Sequence, residues 1–318
     1  MIQKLKINFV DFWPGFVADD NYFYNLLATS YIVELSDTPD FIFYSCYGNE
    51  YLKYTCLKIF YTPENERPDF TACDFAFSFD YINDKRHFRL PLYVLYIDRA
   101  NCLESLLDQK TKEEAIEIWR KKKKFCCMVV SNPNSKKRIE FFNFLTLRCR
   151  IDSGGRYMNN IDGPVDNKLD FIKDYKFVIS FENSSHIGYT TEKLIEPFMV
   201  NSIPIYWGNK KVGSEINCQA FININNFSNF NQVYKKMLEI DNDDNLAVEY
   251  LMCSKFNNTA LLSFLDKKNV LKFLSNIIEN NGKIKPVSMS FYSYIHFVKR
   301  KLRMLILILK LRTFGHYR

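Results

Sequence analysis

A strand–loop–helix–strand unit at residues 175–208 constrains the fold more than any other part of the sequence. It begins with the run FVISF at 177–181, which is typical of a strand buried on both faces of a sheet. A polar loop follows, and apolar side chains then recur on one face of a predicted helix. A second apolar run at 203–207 predicts the returning strand. This order indicates an α/β fold with a parallel sheet.

Polar and ionisable side chains are concentrated where the loop of this unit meets its helix. In parallel sheets, ligands bind beyond the carboxyl ends of the strands and next to helix N-termini. We therefore predict that much of the chemistry lies at this junction. The residues concerned are Glu182, Asn183, Tyr189, Thr190, Thr191, Glu192 and Lys193.

Composition limits the class of protein. The chain has 318 residues, of which 47% are hydrophobic, so it can bury the cores of two domains. The net charge of +7 favours anionic partners such as a nucleotide diphosphate, an acidic membrane surface or nucleic acid. Nine cysteines without a CxxC pair argue against a disulfide framework or a zinc site. The N-terminus does not resemble a signal peptide, and we expect a cytoplasmic location.

Periodicity along the rest of the chain predicts two domains and a tail. Residues 111–114 open a helix that the basic run at 120–124 closes, which suits the helix dipole. We interpret that basic run as a solvated face and expect no nucleic-acid binding. Apolar runs predict strands at 5–12, 32–35, 41–44, 57–61, 74–79 and 125–130, an extended or turn region at 89–93, and helices at 22–27, 138–147, 231–239 and 261–278. The predicted domains are 1–120 and 121–285, followed by a basic amphipathic tail at 286–318.

The tail permits two interpretations. Apolar residues recur there at heptad-like spacing, and basic residues share another side. One interpretation is an amphipathic helix lying in an anionic membrane interface. The other is a helix docked on the protein's own core. The sequence does not choose between them.

Two cationic residues are candidates for phosphate binding. Lys193 lies at a predicted helix start, where a cation opposes the helix dipole, so a bound phosphate explains it better than a purely structural role. The alternative is an exposed lysine. Arg138 follows the strand at 125–130, and its guanidinium could bind diphosphate oxygens bidentately. Lys136 and Lys137 are competing candidates.

Carboxylates supply the candidate general base. Glu64 follows the strand that ends at the Thr62–Pro63 turn, and a carboxylate in that position could accept a proton from a substrate. Simple solvation is the alternative. The acidic run at 241–244 fits no metal-loop spacing and is interpreted as a cap for the following segment.

The motif FENSSHIGYTTEK at 181–193, followed by IPIYWGN at 203–209, resembles the signature of the α1,3/4-fucosyltransferases, the family 10 glycosyltransferases. The resemblance is closest to the bacterial Helicobacter-type branch. Residues 60–70, 89–93 and 131–138 resemble further family segments in the same order. Together these segments extend over roughly residues 55–230.

The resemblance implies the GT-B architecture, in which two Rossmann-like α/β/α domains face an interdomain cleft. It also implies GDP-fucose as the donor and inversion at the anomeric carbon. Two cations and a helix N-terminus can stabilise the departing GDP, so this mechanism does not require a metal. Glu64 matches the proposed catalytic base, and Arg138 and Lys193 match the diphosphate-binding groups. The other matching donor-site positions are Asn183, Tyr189 and Glu192, and the resemblance places Glu192 towards sugar hydroxyls. Glu182 accompanies these donor-site residues as a second carboxylate near the reacting centre.

The expected function is therefore α1,3-fucosyl transfer to the GlcNAc of N-acetyllactosamine-type, Lewis x-like acceptors in lipopolysaccharide or another surface glycan. The tail would place the enzyme on the inner face of the cell membrane. The alternatives are a GT-B transferase that uses another nucleotide sugar, and a basic membrane- or nucleic-acid-binding protein without catalysis. Pro63 and Thr190 replace the Gly and Val that are common in the family, but neither change removes a functional group.

Overall fold

The computed structural model describes residues 2–257 and 262–287, together with the single residues Ile295, Val298 and Leu302. The described chain divides into two compact units, each built on a parallel sheet. The first unit comprises the described residues of Met1–Ser78, Ile82–Arg89 and Lys267–Arg318. The second comprises Phe79–Tyr81 and the described residues of Leu90–Asp266.

The strands and helices follow in chain order. The strands are β1 (Lys4–Val10), β2 (Ile32–Leu35), β3 (Phe41–Tyr44), β4 (Leu57–Tyr61), β5 (Phe75–Ser78), β6 (His87–Arg89), β7 (Lys124–Met128), β8 (Ile151–Ser153), β9 (Tyr175–Phe181), β10 (Ile203–Trp207) and β11 (Ile222–Asn223). The helices are α1 (Tyr22–Ala28), α2 (Leu92–Arg99), α3 (Leu103–Leu107), α4 (Lys112–Lys121), α5 (Lys136–Thr146), α6 (Lys168–Ile172), α7 (Glu192–Met199), α8 (Phe230–Asn242), α9 (Asp244–Met252) and α10 (Lys267–Glu279).

The first unit contains a six-stranded parallel sheet in the order β2-β1-β3-β4-β5-β6. Its core is aromatic: the ring of Phe43 stacks on Phe9 at 5.0 Å and on Phe23 of α1 at 4.7 Å between centroids. Helix α10 joins this unit, since the Tyr31 hydroxyl donates to Ser275 Oγ at 2.9 Å. The chain therefore returns to its first unit after completing the second.

The second unit contains a five-stranded parallel sheet in the order β11-β10-β9-β7-β8. Strand β9 is central, and both of its faces are covered. On one face, Trp119 of α4 contacts Phe177 edge-on at 5.8 Å, and Phe141 of α5 stacks on Phe181 at 5.2 Å. On the other face, Val178 packs in a cluster with residues of β7 and α6. This burial explains the nearly uninterrupted apolar sequence of β9.

Most predicted elements are present with bounds shifted by a few residues. The region predicted as extended or turned contains the end of β6 and the start of α2, and α10 begins at Lys267 within the helix predicted at 261–278. The compact units also differ from the predicted domain ranges. Helix α2 packs on α7 and α4 packs on α9, so the second unit begins its long segment at Leu90, and that segment ends at Asp266 instead of residue 285.

The basic run at 120–124 is not solvated throughout. Lys122 is buried, and its ammonium donates to the carbonyls of Lys173 and Val200 and to Ser202 Oγ. The interpretation of the run as a solvated face is therefore wrong for Lys122. Periodicity alone does not show that a lysine side chain donates to carbonyl groups of other segments.

None of the helices among the described residues has both the length and the apolar composition of a membrane span. The predicted tail helix lies almost entirely outside the described residues.

Candidate active site

The polar junction predicted from the sequence lies at the carboxyl edge of the second sheet. The backbone N–H of Glu182 donates to the carbonyl of Trp207 at 2.8 Å, which extends the pairing of β9 with β10 by one residue. The loop after β9 leads into α7, whose N-cap is Thr191. The Thr191 hydroxyl accepts a bond from the Lys193 N–H at 3.4 Å. The parallel strands thus bring the loop and the helix start together as expected.

Arg138 presents a buried guanidinium near this edge. It lies in the first turn of α5 and is 2% exposed. Its Nη2 donates to Asn183 Oδ1 at 2.9 Å, whereas its Nη1 is buried without a hydrogen-bond partner among the described residues. Burial lowers the pKa of Arg138, and the Glu182 carboxylate opposes that shift. A buried donor without a partner is costly, and an oxygen-rich anion would supply the acceptor.

The two competing lysines of α5 lie in different surroundings. The Lys136 side chain is 91% exposed, and its ammonium lies 3.9 Å from Glu140. The Lys137 ammonium lies over the ring of Phe230, 4.8 Å from the centroid. Arg138 is therefore the one of the three whose cation is buried beside the loop after β9.

Lys193 is held among acceptors at the start of α7. Its ammonium lies 3.0 Å from Glu192 Oε1, 3.2 Å from Thr191 Oγ1 and 3.6 Å from Glu182 Oε2. Burial acts to lower the pKa of Lys193, but the two carboxylates outweigh it and raise that pKa above its ordinary value. The side chain is 19% exposed. Lys193 is thus a fixed cation rather than the exposed lysine that the sequence also allowed.

Glu192 remains ionised beside this lysine. Burial acts to raise the pKa of Glu192, but Lys193 and Lys168 outweigh it and lower that pKa below its ordinary value. A carboxylate that stays charged can accept hydrogen bonds from hydroxyl groups. Its predicted contact with sugar hydroxyls remains a prediction.

The resemblance places Glu182 with the donor-site residues, as a second carboxylate near the reacting centre. Its side chain is fully buried, and its two carboxylate oxygens accept bonds from the Thr191 N–H and hydroxyl, each at 2.8 Å. Burial raises the pKa of Glu182, and Lys193 partly offsets this. The carboxylate is enclosed by its own loop, so this geometry favours an internal role over direct contact with a ligand.

Asn209 organises the same loop and was not singled out from the sequence. It is completely buried, its Nδ2 donates to Thr190 Oγ1 at 3.1 Å, and its Oδ1 accepts from the Gly188 N–H at 2.8 Å. Asn209 is the last residue of the IPIYWGN motif, and its place in that motif was the sequence signal that could have identified it.

Tyr189, which the sequence predicted as a donor-site residue, is 3% exposed. Its ring centroid lies 5.0 Å from that of Phe79.

The short segment Phe79–Tyr81 supports this loop from a distant part of the chain. His186 Nε2 lies 3.3 Å from Asp80 Oδ1. The Tyr81 hydroxyl donates to Glu215 Oε1 at 2.5 Å. Sequence reasoning missed these contacts because nothing local in the sequence links the segment to the loop.

Glu64 lies in the first unit, at the carboxyl end of β4 as predicted. Its side chain is exposed, and its Oε1 accepts a bond from the Tyr47 hydroxyl at 2.9 Å. Its backbone N–H donates to Thr62 Oγ1 at 3.1 Å. The strand-end position is confirmed, and the role as base remains a prediction.

The acidic run at 241–244 has structural partners. Asp243 is the N-cap of α9, as the sequence indicated, and its side chain accepts from the N–H groups of Asn245 and Leu246. Asp241 pairs with Lys176 at 2.5 Å, and Asp244 pairs with Arg120 at 2.8 Å. Within 2–257 and 262–287, no group of three or more His, Cys, Asp or Glu side chains is arranged to hold a metal ion.

Two family models match the chain in succession. Residues 7–96 match the N-terminal domain of alpha-(1,3)-fucosyltransferase FucT. Residues 119–283 match the C-terminal part of glycosyltransferase family 10 (fucosyltransferase). The second match contains Arg138, Asn183, Glu192 and Lys193, and the first contains Glu64.

Individual proteins agree with these matches. Alpha-(1,3)-fucosyltransferase FucT of Helicobacter pylori is 28% identical over 317 residues, which covers 87% of this chain and 66% of the relative, slightly less than two thirds of its length. A crystal structure of an alpha1,3-fucosyltransferase with GDP superposes with a TM-score of 0.75 at 27% identity, covering 88% of this chain and 92% of that one. The corresponding structure with GDP-fucose gives a TM-score of 0.74 at 27% identity and covers 90% and 93%.

The fold class follows from these structures and from the two parallel sheets. Both units are Rossmann-like α/β assemblies, and the fold is GT-B. The chain therefore belongs to glycosyltransferase family 10, the fucosyltransferases.

Proposed function

We propose that this chain transfers fucose from GDP-fucose to the 3-hydroxyl of the GlcNAc in N-acetyllactosamine-type acceptors, with inversion at the anomeric carbon. The observation that carries the proposal is the buried Arg138 guanidinium, whose Nη1 has no hydrogen-bond partner in the described chain. The charge of Arg138 also acts against that of Lys193. A diphosphate would accept from the free donor and would place negative charge beside both cations.

The two cations stabilise the negative charge that develops on the leaving group. When the bond between fucose C1 and the β-phosphate oxygen breaks, GDP departs with the electron pair and gains negative charge. Arg138, Lys193 and the N-terminus of α7 stabilise that charge. Fixed positive groups accelerate the step most when they are already in place, as the contacts of Lys193 with Glu192 and Glu182 provide.

The nucleophile needs a base. In the proposed step the acceptor oxygen bonds to fucose C1 on the face opposite GDP, and the hydroxyl proton passes to Glu64. Attack from the opposite face inverts the anomeric configuration. Glu64 suits this role because its carboxylate is exposed and is fixed by the Tyr47 hydroxyl.

Lewis x-like termini of lipopolysaccharide or another surface glycan are the acceptors that we propose, because the family resemblance extends over both units. We also propose that the enzyme works in the cytoplasm, at the inner face of the membrane, through its basic tail. Truncation after Pro286 followed by cell fractionation tests this location. Membrane association that is unchanged by the truncation would contradict the tail's role.

The donor class is tested by comparing thermal stabilisation by GDP, UDP and CMP. The proposal predicts a clear preference for GDP, whereas preference for UDP or CMP would support a GT-B transferase with another donor. Linkage analysis of the product then distinguishes transfer to the 3-hydroxyl from transfer to the 4-hydroxyl. Salt-dependent binding of nucleic acid without binding of GDP would instead indicate a non-catalytic basic protein.

A further inference from the structure

Glu182 makes contacts that link two separate parts of the candidate site. Its backbone carbonyl accepts a bond from the Ser135 hydroxyl at 3.1 Å. Ser135 is 2% exposed and directly precedes α5, the helix that carries Arg138. The backbone of Glu182 is therefore hydrogen-bonded to the residue that precedes α5.

The carboxylate of Glu182 is hydrogen-bonded to Thr191, the N-cap of α7. It accepts from both the N–H and the hydroxyl of Thr191, and its Oε2 lies 3.6 Å from the Lys193 ammonium. Because the carboxylate is fully buried and occupied by these groups, it is not available to a ligand. A single residue thus connects the starts of the two helices that supply the cations.

Gly208 leaves the space that this arrangement requires. A Cβ at position 208 would lie 2.4 Å from Glu182 Cγ and 2.9 Å from its Cβ. Such distances are well inside van der Waals contact, so the backbone directly after β10 and the side chain of Glu182 fit closely only without a Cβ at position 208.

We infer that Glu182 is a positioning residue for donor binding, because it fixes the start of α7 through Thr191 and holds the Lys193 ammonium where the diphosphate binds. The inference rests on the proposed function, since it assumes that Lys193 meets GDP. Glu182 itself contacts neither the donor nor the acceptor. Its effect on binding should therefore depend on the presence of Lys193.

A double-mutant cycle tests this dependence directly. GDP affinity is measured by calorimetry for Glu182→Gln in the wild-type and in the Lys193→Ala background. We expect Glu182→Gln to weaken GDP binding by about tenfold in the wild type and by less than about twofold when Lys193 is absent. A merely structural role would weaken binding equally in both backgrounds.

Glu196→Gln is the matched control. Glu196 is also a buried carboxylate of the second unit and lies in α7, but it pairs with Lys168 instead of Lys193. Its replacement should leave GDP affinity within about twofold of the wild type. A similar loss in both variants would show a general effect of removing a buried carboxylate and would overturn the inference.

Thr191→Val provides a second route if Glu182→Gln does not fold. The change keeps the side-chain shape and removes the hydroxyl that lies between Glu182 and Lys193. Several-fold weaker GDP binding that again depends on Lys193 would support the inference. Unchanged or tighter binding in the folded variants would overturn it, and failure of the wild type to bind GDP would overturn the proposed function as well.

Discussion

Arg138 Nη2 donates to Asn183 Oδ1 at 2.9 Å, and this bond joins α5 to the loop that follows β9. It fixes a guanidinium that is almost completely buried and leaves its Nη1 without a partner in the described chain. In our proposal, that nitrogen binds the diphosphate of the donor. The bond to Asn183 then serves to orient the guanidinium before the donor arrives.

Replacement of Arg138 should therefore weaken donor binding strongly. We expect Arg138→Gln to reduce GDP affinity by about 10- to 100-fold, because a hydrogen bond to a charged group contributes about 1.5–3 kcal/mol. Calorimetric titration with GDP measures the change. Arg148→Gln is the control, since Arg148 is exposed and lies over the ring of Phe144. If the Arg138→Gln variant and the wild type bind GDP with equal affinity, the guanidinium does not contact GDP and the prediction is wrong.

Glu64→Gln should separate catalysis from binding. Loss of a general base lowers turnover by about 10²- to 10⁴-fold, whereas GDP binding should change little. Initial rates with GDP-fucose and calorimetry with GDP provide the two measurements. Glu66→Gln, at a nearby exposed glutamate, should retain wild-type turnover. Full activity of the Glu64→Gln variant would exclude Glu64 as the base.

Lys122 should make folding stability depend on pH. Burial lowers the pKa of Lys122 from 10.5 to about 8. Because the unfolded chain binds the proton more tightly, the cost of the buried charge is present below pH 8 and disappears as the pH rises from about 8 to about 10.5. Relative to Lys122→Met, the wild type should gain about 2 kcal/mol in its free energy of unfolding between about pH 7 and about pH 9.5.

Urea denaturation at the two pH values measures this gain. Lys121→Met is the control, because the Lys121 side chain is 73% exposed and pairs with Glu117 at the surface. The difference between that variant and the wild type should not change with pH. A constant difference for Lys122→Met as well would show that Lys122 does not titrate in this range.

Gly188→Ala should disturb the loop after β9. Gly188 has φ of +88°, and a Cβ there would lie 2.4 Å from the carbonyl oxygen of Phe79. We expect at least about tenfold weaker GDP binding, because a displacement of about 1 Å at a binding loop can have effects of this size or larger. Gly163→Ala is the matched control: its φ is +112°, and no atom lies within 4 Å of the added Cβ. That variant should lose only about 1–2 kcal/mol of stability and bind GDP normally.

The sequence predicted the second sheet well because its strands are marked by local patterns. Strand β9 is apolar along almost its whole length since both faces are covered, and α7 follows a recognisable cap at Thr191. The position of Arg138 after a strand and that of Lys193 at a helix start followed from the same patterns. Parallel topology then gathers such positions at one edge of a sheet.

Contacts between distant segments were not predictable in this way. The enclosure of Glu182 depends on how its side chain turns toward Thr191. The support of the loop depends on Phe79–Tyr81, which lie far earlier in the chain. The burial of Lys122 likewise depends on carbonyl groups that belong to two other segments. Periodicity places a residue on an element, but it does not show which polar partners the fold brings to that residue.

Fucosyl transfer itself is the most direct measurement. The purified chain is incubated with GDP-fucose and an N-acetyllactosamine acceptor, and the products are analysed for released GDP and for the linkage of the fucose. We predict release of one GDP for each α1,3-linked fucose formed, with loss of the product in the Glu64→Gln variant. Absence of transfer by the wild type, together with absence of thermal stabilisation by GDP, would contradict the proposed function.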